Sequence, residues 1–476
     1  MDVVGRKKEL EKLDSLMISG EPEFLAIYGR RRIGKTFLIR EYFKSHIVLD
    51  FSGAFEAEYD LQLDNFFSEY TRCTKNKREQ IPPENWRTVF NYISDYLYTL
   101  SRRKRIVLFI DELPWLDTPR SGFVSALEYF WNQHGSKIKN LIFVVCGSSA
   151  SWIQNKLIKA KGGLHHRITA RINLQPFTLQ ETELYIKKRK IKLSRYQIVQ
   201  IYMVMGGVPL YLKELTTGKS ATQLIDEIWF SKDGLLSDEY NQLYYSLFSN
   251  AENHTAIIEA LAAKPNGLVR SDLIRFSGLP DGGTFTRALA DLLDCGFISS
   301  YKPYKKKKKD TVYRLIDLYS LFYLKYIKDN ITGVANQWQA VRNEGSFIAW
   351  SGYAYENIWM MHVPQILRAL QIFGTSIDVS SWKYRGDDTT PGAQIDLLIE
   401  RGDDVIHICE AKFSKNEFII TKNYAQDLRR KRSVFEHVTK TKKMIVTTLL
   451  TTYPAIRNQY YQDEIHSEVT LEDLFL

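Results

Sequence analysis

Cysteine is scarce in this chain. Its 476 residues hold four, Cys73, Cys146, Cys295 and Cys409, far apart and without the paired spacing of zinc ligands. That excludes a cysteine zinc site and fits a reducing cytoplasm in which the thiols are simply buried. Long apolar runs are missing, and no apolar segment follows the first residues, so neither a membrane span nor a secretory leader is expected. There is no internal repeat, no coiled-coil signal and no low-complexity segment beyond one lysine run. What is present is globular: 44% hydrophobic and 25% charged residues with only 13 prolines, and a length suited to about three domains with their own cores.

The net charge of +10 is unevenly placed. Residues 301–309 contain six lysines and no acid; residues 411–443 contain ten Lys or Arg against Glu417, Asp427 and Glu436; the rest of the chain sums to −3. Local excesses of this kind suit a polyanion partner, and equally a solvated loop and a solvated helix face.

Strand-like runs at 24–28, 47–51, 106–110, 141–146 and 168–174 alternate with helix-like runs, notably 34–44, 86–100 and 120–134. This alternation predicts an α/β domain over 1–176, with a parallel sheet covered on both faces. Residues 177–250 read as a helical subdomain broken at Gly206-Gly207-Val208-Pro209. Within 251–316, helical runs at 255–263, 270–277 and 284–295 precede strands at 296–301 and 311–315, the order of a winged helix-turn-helix. Residues 317–345 form an aromatic-rich helical linker. The last domain, 346–476, opens on a helix carrying Tyr353, Glu356 and Trp359, followed by strands at 393–400 and 404–411, a helix at 422–435 and a strand at 443–449.

Between the first strand and its helix lies Gly29-Arg30-Arg31-Arg32-Ile33-Gly34-Lys35-Thr36, with Phe37 next. Glycines at these positions let backbone N–H groups turn onto phosphate oxygens, and the helix N-terminus adds its dipole. Lys35 is expected on the β- and γ-phosphates and Thr36 on Mg²⁺. The strand at 106–110 ends in Asp111 and Glu112, assigned to the metal and to activation of the attacking water. Ser148 or Ser149, at the tip of the strand 141–146, would contact the γ-phosphate or the water, or cap the next helix.

The phosphate loop, the run Phe109-Ile110-Asp111-Glu112-Leu113-Pro114-Trp115 and the run Gly206-Gly207-Val208-Pro209-Leu210-Tyr211 together resemble the archaeal-type ATPases of the STAND class of P-loop NTPases. Val4-Gly5-Arg6, with Glu9, Leu10 and Leu13, resembles that family's opening box beside the adenine. The resemblance covers 1–316. It implies an ATP- and Mg²⁺-dependent switch whose helical lid and winged helix close over the nucleotide, with possible nucleotide-dependent homo-oligomers. Pro209 matches the proline that reads the nucleotide, although a plain helix break explains it as well. An arginine finger would be Arg167, with Arg171 the alternative. His165 and His166 are adjacent and make a poor metal pair.

In the winged helix, Arg287 on the recognition helix and the lysines 305–309 on the wing would contact DNA. The helix also carries Asp291 and Asp294, which suits an internal packing module instead.

Asp396 and Glu410 stand 14 residues apart, separated by the turn Arg401-Gly402-Asp403-Asp404. An antiparallel hairpin puts both at one edge, and Glu410 shares a face with Lys412. Two carboxylates bind Mg²⁺, and a lysine positions water and offsets developing phosphorane charge. Glu356 would complete the site. The set Asp396, Glu410, Lys412 with Glu356 resembles the PD-(D/E)XK nuclease superfamily of restriction-endonuclease-like α/β folds, with Ile395 where a proline is usual. Tyr424 and Gln426 are possible supports, and the arginine-rich 429–432 would track a phosphate backbone. The resemblance implies a nuclease-like domain acting on DNA, in defence against foreign DNA or in DNA processing. The rival is a regulator whose last domain binds nucleic acid or protein without cutting.

Overall fold

The computed structural model describes residues 2–74, 81–100, 104–159, 163–164, 166–231, 234, 236–248, 250–329, 337–342 and 345–476. His165 and part of the expected linker lie outside them. The chain divides into two compact units. The first comprises Met1–Pro176, Leu243–Ala251 and Ala290–Gly296; the second comprises Phe177–Gln242, Glu252–Leu289 and Phe297–Leu476.

The first unit is built on five parallel strands: β1 (Glu23–Tyr28), β2 (Ile47–Ser52), β3 (Ile106–Asp111), β4 (Leu141–Gly147) and β5 (Ala170–Asn173), in the order β2-β3-β4-β1-β5. Their near-continuous apolar runs follow from burial on both faces. Phe24, Ala26, Leu108, Ile110, Phe143 and Val145 enter one core with the helices Trp86–Thr99 and Phe123–Gln133. Leu25, Ile27, Val107, Phe109, Ile142 and Val144 enter the other with the helices Lys7–Ile18 and Lys35–Tyr42. Alternate residues of each strand therefore serve opposite layers, which is the two-sided α/β sheet expected from the sequence.

The second unit begins with helices Leu179–Lys188 and Arg195–Met205, each opened by a capping box, Thr178 with Glu181 and Ser194 with Gln197. Gly206 closes the second helix in the left-handed conformation, and Pro209 starts the next at a position where its missing N–H costs nothing. Gly207 has φ +68°, and an added Cβ would lie 2.2 Å from the Phe177 carbonyl oxygen. Side chains are thus excluded there on two grounds.

Three helices, Ala251–Ala262, Arg270–Ser277 and Gly283–Asp294, accompany a three-stranded sheet. It consists of β6 (Leu268–Val269), β7 (Ile298–Tyr301) and β8 (Val312–Leu315), antiparallel in the order β6-β8-β7. The last sheet has the order β13-β12-β11-β10-β9. Its members are β9 (Ile377–Tyr384), β10 (Ala393–Arg401), β11 (Val405–Lys412), β12 (Met444–Thr451) and β13 (Ser467–Thr470). β9, β10 and β11 form an antiparallel meander; β11, β12 and β13 are parallel, and the helix Lys422–Thr439 supplies the crossover that a parallel pair requires.

Candidate functional site

All three strand ends that carry the nucleotide residues lie at the carboxyl edge of the first sheet, where open α/β sheets bind ligands. β4 stands between β1 and β3, with Tyr28 beside Gly147 and Ile110 beside Val145. Gly29 leaves β1 at φ +137°, and a Cβ on it would meet the Leu174 carbonyl oxygen at 2.3 Å. Arg32 and Gly34 are also left-handed, at φ 72° and 88°, so the loop folds back on itself. Lys35 is buried and donates to the Gly29 and Arg30 carbonyls at 2.9 and 2.8 Å, which holds its ammonium inside the loop. Ile33 is buried, and Arg31 lies 5.4 Å from the centre of the Trp115 ring. Phe37 is 54% exposed and lines a shallow cavity of about 530 Å³ with Thr36, Arg40, Glu41 and Lys44.

Thr36 Oγ1 donates to Asp111 Oδ2 at 2.7 Å, so the two oxygens that would share Mg²⁺ are side by side. The donor set fits that ion. Glu112 follows in the left-handed region at φ 43°. Its Oε2 accepts from Ser148 N at 3.0 Å and Ser148 Oγ at 2.8 Å. This separates the two serines: Ser148 is buried against Glu112, whereas Ser149 precedes the helix Ala150–Trp152 without a side-chain cap bond. Arg6, which the sequence marked only as part of the opening box, is buried and donates to the carbonyls of Ile33 at 3.1 Å and Gln175 at 2.6 Å. It ties the chain's start to the phosphate loop.

Arg167 is exposed and precedes β5 at the opposite edge of the sheet, where Thr169 N donates to Phe24 O at 3.0 Å. Arg171 pairs with Ala26 in mid-strand. Neither is brought to the phosphate loop of its own chain. Pro209 lies in the second unit.

The second cluster forms on the last sheet. Leu397 pairs with Cys409 across β10 and β11, so one step further along Asp396 stands opposite Glu410. Glu410 is 7% exposed; its Oε1 accepts from Lys431 Nζ at 2.8 Å, and Tyr424 OH reaches Oε2 at 3.4 Å. Burial raises its carboxyl pKa, with Lys431 opposing the shift. Asp396 Oδ1 accepts from Gln394 Nε2 at 2.6 Å. Glu356 accepts from Arg314 of β8 at 2.9 Å, and the guanidinium is almost fully buried. Burial, then the neighbouring Asp396 charge, push the Glu356 carboxyl up to about 7 against the pull of Arg314. Lys412 Nζ lies 4.7 Å from the centre of the Tyr424 ring. Between Glu356 and Asp396 is a slot of about 10 Å³, room for one water.

Among the described residues no three His, Cys, Asp or Glu side chains gather closely enough to hold a metal ion. Asp396 and Glu410 would be two ligands of an ion completed by water, but Lys431 already meets one of them. Arg314 and Gln394 were missed from the sequence, and Lys431 was expected only as part of the basic run 429–432. Gln394 is two residues before Asp396 on the same strand, a signal that was available.

The helix Lys422–Thr439 sorts its polar residues by face. Gln426 is exposed, while Tyr424 and Lys431, seven residues apart and so on one face, meet Glu410. The basic run carries acidic partners while its arginines stay 31–50% exposed. Arg429 pairs with Glu464, Arg430 with Asp427, and Arg432 lies 3.7 Å from Glu464.

Residues 3–215 match the family described as an ATPase domain predominantly from Archaea. Over 435 residues the chain is 22% identical to an uncharacterized protein of Methanocaldococcus jannaschii, covering 90% of this chain and 91% of that one. A Walker-type ATPase of Pyrococcus abyssi is similar in structure at a TM-score of 0.50 and 18% identity, over 68% of this chain and 97% of that one. The ORC2 protein of Aeropyrum pernix, solved with ADPNP and ADP, is similar at a TM-score of 0.43 and 17% identity, over 72% of this chain and 96% of that one. The parallel sheet, its phosphate loop and the family match define a P-loop ATPase domain over residues 3–215. The protein binds nucleotide and hydrolyses ATP. Among the described residues no helix is long and apolar enough to cross a membrane.

Proposed function

We propose that this ATPase is a nucleotide-controlled switch for a Mg²⁺-dependent, DNA-acting nuclease-like domain over 346–476. Residues 177–250 serve as a lid and 251–316 as a winged helix. The observation that carries the reading is the meeting of Asp396 and Glu410 across one hairpin, with Glu356 against Asp396 and Lys412 ending the same strand. In the ATP site, Lys35 would exchange the loop carbonyls for the phosphates, Thr36 and Asp111 would hold Mg²⁺, and Glu112 would orient the attacking water. Ser148 fixes the carboxylate of Glu112 and couples it to the γ-phosphate. Pro209 carries the nucleotide state into the lid. Arg167, at the far sheet edge, would serve the ATP of a neighbouring copy in a nucleotide-dependent oligomer. In the last domain, Asp396 and Glu410 would hold Mg²⁺, which supplies charge neutralisation at the phosphate. Lys412 orients water, and Glu356 moves a proton.

Lys431 on Glu410 favours a second reading, in which the domain binds nucleic acid or protein without cutting. Incubation of the full chain with DNA, Mg²⁺ and ATP decides between them. Cleavage lost in both Asp396→Ala and Lys412→Ala supports the nuclease. Salt-sensitive binding without cleavage supports the second reading.

A further inference from the structure

Two lysine clusters that are distant in sequence meet in the second unit. The chain leaves β7 at Tyr301 and returns at β8, and the connection is anchored on the last sheet. Tyr304 is buried in one core with Trp382, Ile395 and Phe435, its ring 5.4 Å from that of Phe435. Its amide donates to the Ser381 carbonyl of β9 at 3.0 Å. Lys305 Nζ donates to the Thr439 carbonyl, at the end of the helix Lys422–Thr439, at 2.9 Å. The tip is itself fixed. Lys306 N donates to Pro303 O at 2.9 Å, Asp310 N to Lys307 O at 3.0 Å, and Lys307 N to the Asp310 carboxylate at 3.0 Å.

These contacts bring exposed Lys302, Lys306, Lys307, Lys308 and Lys309 to the end of the helix that exposes Lys440 and Lys442. The nearby acids offset little of that charge. Asp310 closes its own turn, and Glu400 and Asp404 face Lys443 at 2.9 and 3.7 Å, leaving exposed Glu436. Lysines beyond a helix C-terminus gain from its dipole, which accounts for Lys440 and Lys442 but not for the five on the turn. Holding seven ammonium groups on an ordered rim works against self-repulsion, and a row of phosphates relieves it. The helix Gly283–Asp294, by contrast, has Arg287 as its one cation beside Asp291 and Asp294.

We propose that this joint rim, the β7–β8 turn together with the 439–442 corner, is the surface that grips the phosphate backbone of duplex DNA, and that the helix Gly283–Asp294 does not read bases. The inference rests on the DNA partner proposed above and is independent of cleavage.

The test is equilibrium binding of the full chain to a fluorescent random-sequence DNA duplex of about 30 base pairs, between about 50 and 200 mM KCl. The proteins are wild type, Lys306→Ala/Lys308→Ala, Lys440→Ala/Lys442→Ala and Arg287→Ala. An unchanged circular dichroism spectrum and thermal unfolding midpoint verify folding. Each lysine pair is expected to weaken binding about tenfold at about 100 mM salt and to lower the slope of log affinity against log salt by about two, with Arg287→Ala within about twofold of wild type. A slope unchanged by the Lys440/Lys442 pair overturns the joint surface, and a dominant Arg287 effect returns recognition to the helix. Preference for an RNA duplex overturns the assignment to DNA. Absence of duplex binding by wild type at low salt defeats this inference and the DNA reading together, whereas salt-sensitive binding that no lysine variant alters defeats this inference alone.

Discussion

Lys431 is the residue on which the C-terminal cluster turns. Its ammonium and Glu410 are both largely buried, at 18% and 8% side-chain exposure, so removing the ammonium takes away the direct ion-pair partner of a buried carboxylate and leaves only the Lys412 charge nearby. Lys431→Met is expected to destabilise the protein by about 3 kcal/mol. Added Mg²⁺ or Mn²⁺ should recover part of that loss by taking the place of the ammonium. Thermal unfolding with and without metal checks this: a larger metal-induced rise in Tm for the variant than for wild type is predicted, and equal responses would contradict it. The two cations of this cluster also mark the limit of sequence reading. The phosphate loop was legible because its residues are consecutive, and Asp396, Glu410 and Lys412 because strand alternation fixes which of them share a face. Lys431 and Arg314 lie 21 and 42 residues from the carboxylates they meet, and nothing local pairs them.

At the scale of elements, His362 joins two parts of the second unit. It is fully buried, donates from Nδ1 to the Ile358 carbonyl at 2.7 Å, and accepts at Nε2 from the Leu179 amide at 3.1 Å, at the start of the helix Leu179–Lys188. Accepting that bond requires a neutral ring, and burial pushes the imidazole down to about 4. A lowered histidine favours the folded state above its unfolded value of about 6.5, and that contribution disappears as pH falls toward 4. Wild type should lose about 2 kcal/mol through this group between pH 7 and pH 5. His407, also lowered to about 4, adds a loss of the same sign. Chemical denaturation at the two pH values should show a smaller difference for His362→Ala, and an undiminished difference would remove the assignment. The sequence revealed the strands of the first sheet, whose apolar runs have one interpretation. It did not reveal β9, where Ser380 and Ser381 interrupt the alternation, or β13, which is four residues long. The helix Lys422–Thr439 was legible as a helix, but the facing of its basic residues was not, because their partners Glu464 and Glu410 belong to other elements.

At the scale of the whole molecule, the proposed function joins an ATP site in one unit to an acidic cluster in the other. The relative of 22% identity spans 90% of the chain, so both units are matched in it. Coupling between them is a free-energy difference, and values of about 1–3 kcal/mol correspond to rate or affinity changes of about 5- to 150-fold. The most direct measurement is Mg²⁺-dependent cleavage of duplex DNA by wild type with ATP, wild type with ADP, and Glu112→Gln held with unhydrolysed ATP. The ATP-held and ADP states are expected to differ at least about tenfold in cleavage rate, and Asp396→Ala to abolish cleavage in every state. The same rate in all nucleotide states, or cleavage that survives Asp396→Ala, would contradict the proposed function.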